Sequence, residues 1–149
     1  MISKILVPTD GSNAAQKAAK YAVDLAKKLK ATIIILSVID QRPYVSQTVP
    51  AAKTTLHIIE PIEDYLREAA EAYAGEIKKL CDKGGVRSKT VITSGHPVED
   101  IVKQATKTKA DLIVMGSHGK SALAAAVLGS VTYGVIHKDS KIPVMVVKR

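Results

Sequence analysis

Residues 111–120 read DLIVMGSHGK, an aliphatic run that ends on a glycine-containing turn. A short, continuous apolar run of this kind is typical of a strand that is buried on both faces, as strands are in a parallel sheet. We therefore predict a strand over Asp111–Met115 and a turn over Gly116–Gly119. A sheet built from such strands needs helices on both of its faces, and the flanking sequence has helical periodicity.

Strand-like and helix-like segments alternate along the whole chain. This alternation favours βαβ units, whose right-handed crossovers build a parallel sheet. We predict one α/β domain over residues 1–149, a doubly wound five-stranded parallel sheet flanked by four helices in a Rossmann-like, three-layer arrangement. The other predicted strands are Ile5–Val7, Thr32–Ile39, Ser88–Thr93 and Pro143–Val147. The predicted helices are Asn13–Lys30, Ile58–Lys83, Pro97–Lys107 and Leu128–Lys138, the last beginning near Ser121 or restarting at Ser130.

One connection stands out as irregular. Asp40–His57 contains Pro43 and Pro50 and has few periodic apolar residues, and Pro61 is expected in the first turn of the following helix. Long connections serve either as plain surface loops or as binding and interface elements. The sequence leaves both readings open for this segment.

Composition restricts the class of protein. The chain has no Phe and no Trp although 46% of it is apolar, so the core must be aliphatic, and the single Cys81 excludes an internal disulfide. The net charge of +8 favours anionic ligands, but the lysines are spread over helices without interleaved aromatic residues, so we do not expect nucleic acid as a partner. No signal-peptide pattern and no apolar run of roughly 18 residues is present, which predicts a cytoplasmic protein that does not enter membranes.

The loops after the first, second and fourth strands should carry the binding site, because doubly wound sheets bind ligands beyond the carboxyl ends of their strands. Gly116 and Gly119 are followed, after nine intervening residues, by Gly129-Ser130. Such glycines bring backbone N–H groups close to phosphate oxygens, and a helix starting near Ser130 adds its positive end. The P-loop pattern fails because Val114 stands at its first glycine position, and the dinucleotide pattern G-x-G-x-x-G is absent.

The spacing G-x2-G-x9-G-S resembles the motif of the ATP-binding universal stress proteins. The stretches around it are similar as well, as are the opening residues 5–12 and the closing residues 142–147. The resemblance covers the whole chain and is weakest over Asp40–His57. It implies an adenine nucleotide α-hydrolase-like fold, ATP with Mg²⁺ as ligands, and a homodimer through the last strand, Val144–Val147.

The resemblance also implies a set of ligand contacts. Asp10 would lie near the ribose and Mg²⁺, and Val38 would contact the adenine through its backbone. The residues expected to line the nucleotide site are Pro8, Thr9, Asp10, Val38, Met115, Gly116, Ser117, His118, Gly119, Lys120, Gly129, Ser130, Val131 and Thr132.

Each of these assignments has a structural alternative. Asp10 could brace the first turn, the glycines could serve a tight turn alone, and Lys120 could be solvated. We expect His118 to be a partly exposed turn residue and not a general base, and we assign no catalytic residue. Without a water-orienting carboxylate or an arginine finger, the sequence predicts a regulatory ATP-binding module with at most slow hydrolysis or autophosphorylation and an unidentified protein partner. The alternative is a dimeric interaction protein of the same fold that uses no nucleotide.

Overall fold

The computed structural model describes residues 1–40, 52–120 and 128–148, with the side chains of residues 52–61 left aside. Within these ranges the chain forms five strands and four helices in strict alternation, as the sequence predicts. The strands are β1 (Lys4–Pro8), β2 (Thr32–Ile39), β3 (Ser88–Ser94), β4 (Leu112–Gly116) and β5 (Val144–Val147). The helices are α1 (Asn13–Leu29), α2 (Ala52–Gly84), α3 (Pro97–Lys107) and α4 (Ser130–His137).

The strands form one parallel sheet in the order β3-β2-β1-β4-β5. β1 lies at the centre, where Ile5 pairs with Ile33 of β2 on one side and with Leu112 of β4 on the other. The sheet has helices on both faces, so the predicted doubly wound α/β class is confirmed.

The alternation of side chains along the strands produces two separate cores. Ile5 and Val7 point to the face covered by α1 and α2, whereas Leu6 points to the face covered by α3 and α4. On the first face the alanines of α1 take the place of large side chains, and Ala18 and Ala22 are fully buried. Small residues at these positions let the helix approach the sheet closely, so a compact core forms without Phe or Trp.

α2 differs from the prediction, because it begins at Ala52 and not at Ile58. Residues 52–57, assigned to the irregular stretch, are therefore helical, and Pro61 lies inside the helix and not in its first turn. Thr54, Thr55 and His57 are weak helix formers, so propensity gave no sign of the extension, although adding residues to an existing helix costs little. The remainder of the irregular stretch, residues 41–51, lies outside the described residues.

The sequence is compatible with two starts of α4, and the structure places the start at Ser130. The other predicted start, near Ser121, lies outside the described residues. Gly129 is the N-cap residue, with extended backbone angles, so the chain enters α4 directly from the third glycine of the motif.

The strand order reverses between β1 and β4. The chain runs outward from β1 through β2 to β3 and then crosses back to β4 and β5. Such a reversal leaves a crevice beyond the carboxyl ends of the two central strands, since their following loops turn to opposite faces. Thr9–Gly11 after β1 and Ser117–Lys120 after β4 therefore meet at one edge of the sheet.

Candidate functional site

A cleft of about 240 Å³ opens at this edge of the sheet. It lies beyond the carboxyl ends of β1, β2 and β4, and the first turn of α4 closes one side. All the predicted site residues except Ser117 and Lys120 line it. Those lining residues are Pro8, Thr9, Asp10, Val38, Met115, Gly116, His118, Gly119, Gly129, Ser130, Val131 and Thr132. Residues that the sequence did not single out also line it: Ala15, Leu36, Asp40, Pro97 and Ile101.

The additional apolar lining comes from β2 and α3. Leu36 and Val38 lie two residues apart and thus on one face of β2, while Pro97 and Ile101 lie one turn apart on α3. These spacings are visible in the sequence. The sequence does not show that α3 covers the same face of the sheet as these β2 residues. That position depends on the packing of two segments that are distant in sequence.

The glycine loop and the start of α4 form the polar part of the cleft. The N–H of Gly129 donates to the carbonyl of Ser117 at 2.7 Å, and the hydroxyl of Thr132 donates to the carbonyl of Gly116 at 2.8 Å. These bonds hold the loop after β4 against the N-terminus of α4. The first N–H groups of a helix have no partner within it, so the turn beginning at Ser130 presents donors to anionic groups.

Ser117 supports this arrangement from behind the cleft. Its side chain is buried, its N–H donates to the carbonyl of Val147 at 3.1 Å, and its carbonyl accepts the bond from Gly129. The residue therefore positions the loop between β5 and α4. It does not line the cleft, although the resemblance implied that it would.

The glycines of the motif have a steric role in the fold itself. A Cβ atom at Gly116 would lie 2.8 Å from the backbone of Ala14 at the start of α1, and one at Gly119 would lie 2.7 Å from Oδ2 of Asp10. A Cβ at Gly129 would lie 3.1 Å from Cα of His118. At Gly116 the close approach is to backbone and needs glycine whether or not a ligand is bound, so this part of the motif serves packing as well as any binding.

Asp10 connects the two central turns. Its Oδ1 accepts from the N–H of Ser12 at 2.9 Å, and its Oδ2 accepts from the N–H of Lys120 at 3.1 Å. The carboxylate therefore braces the loops after β1 and β4 while it also lines the cleft. Among the described residues no three His, Cys, Asp or Glu side chains cluster to hold a metal. The single carboxylate of Asp10 is enough for a Mg²⁺ ion that arrives on phosphate groups, because Mg²⁺ is commonly held by one or two carboxylates together with substrate phosphates.

Lys120 turns away from the cleft. Its ammonium group donates to the hydroxyl of Tyr73 on α2 at 2.6 Å and lies 4.2 Å from the centre of that ring. The hydrogen bond to Tyr73 raises the pKa of Lys120 above its ordinary value, and the negative charge of Asp10 adds to the effect. The side chain is exposed, and it points to Tyr73 instead of lining the predicted phosphate path.

His118 is buried, with only 7% of its surface exposed, so the expectation of a partly exposed ring is wrong. Its Nδ1 lies 2.8 Å from the hydroxyl of Ser117.

With the fold and the cleft in place, comparison with known proteins identifies related chains. The family model described as the universal stress protein family matches residues 1–148. Universal stress protein MJ0531 of Methanocaldococcus jannaschii is 39% identical over 149 residues, which cover 100% of this chain and 84% of that protein.

Solved structures give the same result. The structure of hypothetical protein MJ0577 superposes with a TM-score of 0.83 at 39% identity, covering 100% of this chain and 97% of that chain. A universal stress protein crystallised in complex with cAMP has a TM-score of 0.64 at 28% identity and covers 99% of this chain and 97% of its own. In the part of the chain that the structure describes, no helix is long and apolar enough to cross a membrane.

Proposed function

Because the chain belongs to the universal stress protein family, we propose that it binds ATP in the cleft at the sheet edge and acts as a nucleotide-dependent regulatory module in stress response. The observation that carries this proposal is that residues distant in sequence meet in one cleft. Residues separated by more than a hundred positions, from Pro8 to Thr132, line one cleft at the point where the strand order reverses. The related protein that was crystallised with cAMP supports an adenine nucleotide as the ligand class.

The two parts of the cleft suit the two ends of a nucleotide. The wall formed by Leu36, Val38 and Ile101 offers apolar surface for a planar base, and such walls with a few placed polar groups are the usual form of small-molecule sites. The first turn of α4, from Ser130, offers backbone N–H groups and a positive helix end for the phosphates.

Mg²⁺ belongs to the proposal as a companion of the phosphates. When bound, it would neutralise part of their charge, and Asp10 is the residue that would hold it. The carboxylate already accepts two backbone N–H groups, which fixes its orientation toward the cleft mouth.

We expect at most slow hydrolysis or autophosphorylation. Among the described residues that line the cleft there is no Lys and no Arg, since Lys120 is held by Tyr73 outside it. Phosphoryl transfer relies on positive charge placed at the transferred group, and in this structure the described residues that line the cleft offer only backbone dipoles. A steady-state turnover of several per second by the purified protein would contradict this part of the proposal.

The test is calorimetric titration of the protein with ATP and Mg²⁺, compared with a Ser130→Glu variant. Substitution of Gly116 or Gly119 is a poor test, because a side chain there would collide with the backbone of Ala14 or displace the Asp10 carboxylate, which itself lines the cleft. Ser130 is exposed, and a glutamate in the first turn of a helix is favourable for the helix. Its charge would repel the phosphates, so we expect ATP affinity to fall by about tenfold or more.

Ser94→Glu is the matched control, because it adds the same charge at an exposed position at the end of β3, outside the cleft lining. We expect it to bind ATP with nearly unchanged affinity. Equal weakening by both variants would show that net charge and not the proposed site is responsible.

A second function has one observation in its favour. Because Gly116 is needed for packing, its presence is compatible with an interaction protein of the same fold that uses no nucleotide. Absence of ATP binding by the wild-type protein would select that alternative. The homodimer through Val144–Val147, the single-domain organisation of residues 1–149 and the cytoplasmic location remain predictions from the sequence and the resemblance.

A further inference from the structure

Lys120 and Tyr73 form a polar and aromatic contact just outside the cleft. The ammonium group lies 2.6 Å from the Tyr73 hydroxyl and 4.2 Å from the centre of its ring. Neither residue lines the cleft, although Gly119, the residue before Lys120, does. The positive charge next to the proposed phosphate path is therefore held away from it.

The backbone of Lys120 is nevertheless fixed at the mouth of the cleft. Its N–H donates to Oδ2 of Asp10, and Asp10 lines the cleft. The side chain is long and has several rotatable bonds, so rotation about them moves the charge without moving this backbone anchor.

Tyr73 is fixed by a different contact. Gly11 has a φ angle of +79°, and a Cβ atom there would lie 2.4 Å from the Tyr73 ring. The ring thus occupies the space that a side chain at residue 11 would fill, directly beside the turn that carries Asp10. The Tyr73 ring therefore packs against the Gly11 turn, with its hydroxyl next to the Lys120 ammonium group.

From this arrangement we infer that Lys120 exchanges partners when a polyphosphate enters the cleft. Its ammonium group moves from the hydroxyl of Tyr73 to the phosphate groups beyond the first one. The inference depends on the proposed ATP site. Tyr73 is then a positioning residue that sets how strongly the protein distinguishes a nucleoside triphosphate from a monophosphate, because only the longer phosphate chain competes for the ammonium group.

The exchange makes the two side chains act oppositely on ATP affinity. Removing the hydroxyl in Tyr73→Phe keeps the ring against Gly11 but removes a hydrogen bond that ATP must break, so ATP should bind roughly three- to tenfold more tightly. Removing the charge in Lys120→Met should weaken ATP binding by about fivefold or more. In the Lys120→Met background, Tyr73→Phe should have no further effect, and AMP affinity should stay unchanged in all of these variants.

The experiment is a double-mutant cycle measured by calorimetry with ATP and with AMP, on the full chain with Mg²⁺ present. Tyr21→Phe is the matched control, because Tyr21 is 53% exposed on α1 and its hydroxyl has no hydrogen-bond partner in the described part of the chain. Thermal unfolding of each variant checks that the fold is retained.

A spectroscopic readout separates exchange from a purely structural role. With tyrosine labelled by ¹³C at Cζ, the Tyr73 resonance is the one missing from Tyr73→Phe. It should shift on addition of ATP in the wild type and much less with AMP, and the difference should disappear in Lys120→Met.

The outcomes separate this inference from the function on which it depends. If the wild type binds neither ATP nor AMP, the proposed site is rejected and the exchange with it. If it binds both but the ratio of the two affinities is the same in every variant, the site stands and the exchange is rejected. Tighter ATP binding by Tyr73→Phe that persists without Lys120 would also reject the exchange.

Discussion

At the residue scale, Asp111 shows how one side chain fixes the central strands. Its Oδ2 accepts the N–H of Ser3 at 2.8 Å, the N–H of Lys4 at 3.0 Å and the hydroxyl of Ser3 at 3.0 Å. The two backbone bonds lower the pKa of Asp111 in the folded protein, and the hydroxyl adds to this effect. The charged form is therefore favoured by folding, which stabilises the protein above the unfolded pKa of about 3.9 and ceases to do so as pH falls through the lower folded value.

We predict that Asp111→Asn lowers the free energy of unfolding at pH 7, because an amide oxygen accepts these three bonds less strongly than a carboxylate. The difference from the wild type should shrink as pH is lowered below about 4. Urea unfolding curves recorded from pH 7 to pH 3 measure it. Asp139→Asn is the control, since the carboxylate of Asp139 makes no hydrogen bond or ion pair within the described residues. An equal loss in both variants at every pH would contradict the prediction.

At the scale of secondary-structure elements, two helical glycines differ in what surrounds them. A Cβ at Gly75 on α2 would meet nothing within 4 Å, whereas one at Gly134 on α4 would lie 2.7 Å from Cγ2 of Val98 on α3. Gly75→Ala should therefore raise the free energy of unfolding by roughly 0.5–1 kcal/mol through helix propensity alone. Gly134→Ala should lower it by roughly 1–3 kcal/mol, because α3 and α4 must separate to admit the methyl group.

Chemical denaturation of both variants and of the wild type measures these two changes in the free energy of unfolding. The same substitution in two helices makes each variant the control for the other. If Gly134→Ala were as stable as Gly75→Ala, the close contact of α3 and α4 at Val98 would be wrong.

At the scale of the whole molecule, β5 forms one edge of the sheet, and all four of its residues are partly exposed. An edge strand carries unpaired backbone groups that a second copy can use. The proposed homodimer through Val144–Val147 places the partner there. We predict that Val146→Lys gives a monomer, because a charge on an edge strand opposes pairing.

Sedimentation velocity at micromolar concentration measures the mass of the wild type and the variant. Leu29→Lys provides the control, since Leu29 is also partly exposed but is the last residue of α1 and not part of the edge strand. It should remain dimeric. A monomeric wild type would reject the proposed interface.

Most of the architecture follows from local sequence pattern. The aliphatic runs, such as Thr32–Ile39, are short, continuous and rich in β-branched residues, which favours buried strands, and the helical periods between them indicate crossovers. The glycine spacing after β4 located the cleft, because loops at the carboxyl ends of central parallel strands converge there. These features depend on local pattern, which is why they could be predicted.

Which side chains meet across the chain depends on the packing of distant segments. Ile101 lines the cleft only because α3 packs over β2, and Lys120 points away from it only because Tyr73, far earlier in the sequence, is seated against Gly11. The same holds for Gly116, whose necessity comes from the backbone of Ala14. Contacts of this kind depend on the distance between segments that are remote in sequence, and local propensity and periodicity contain no information about that distance.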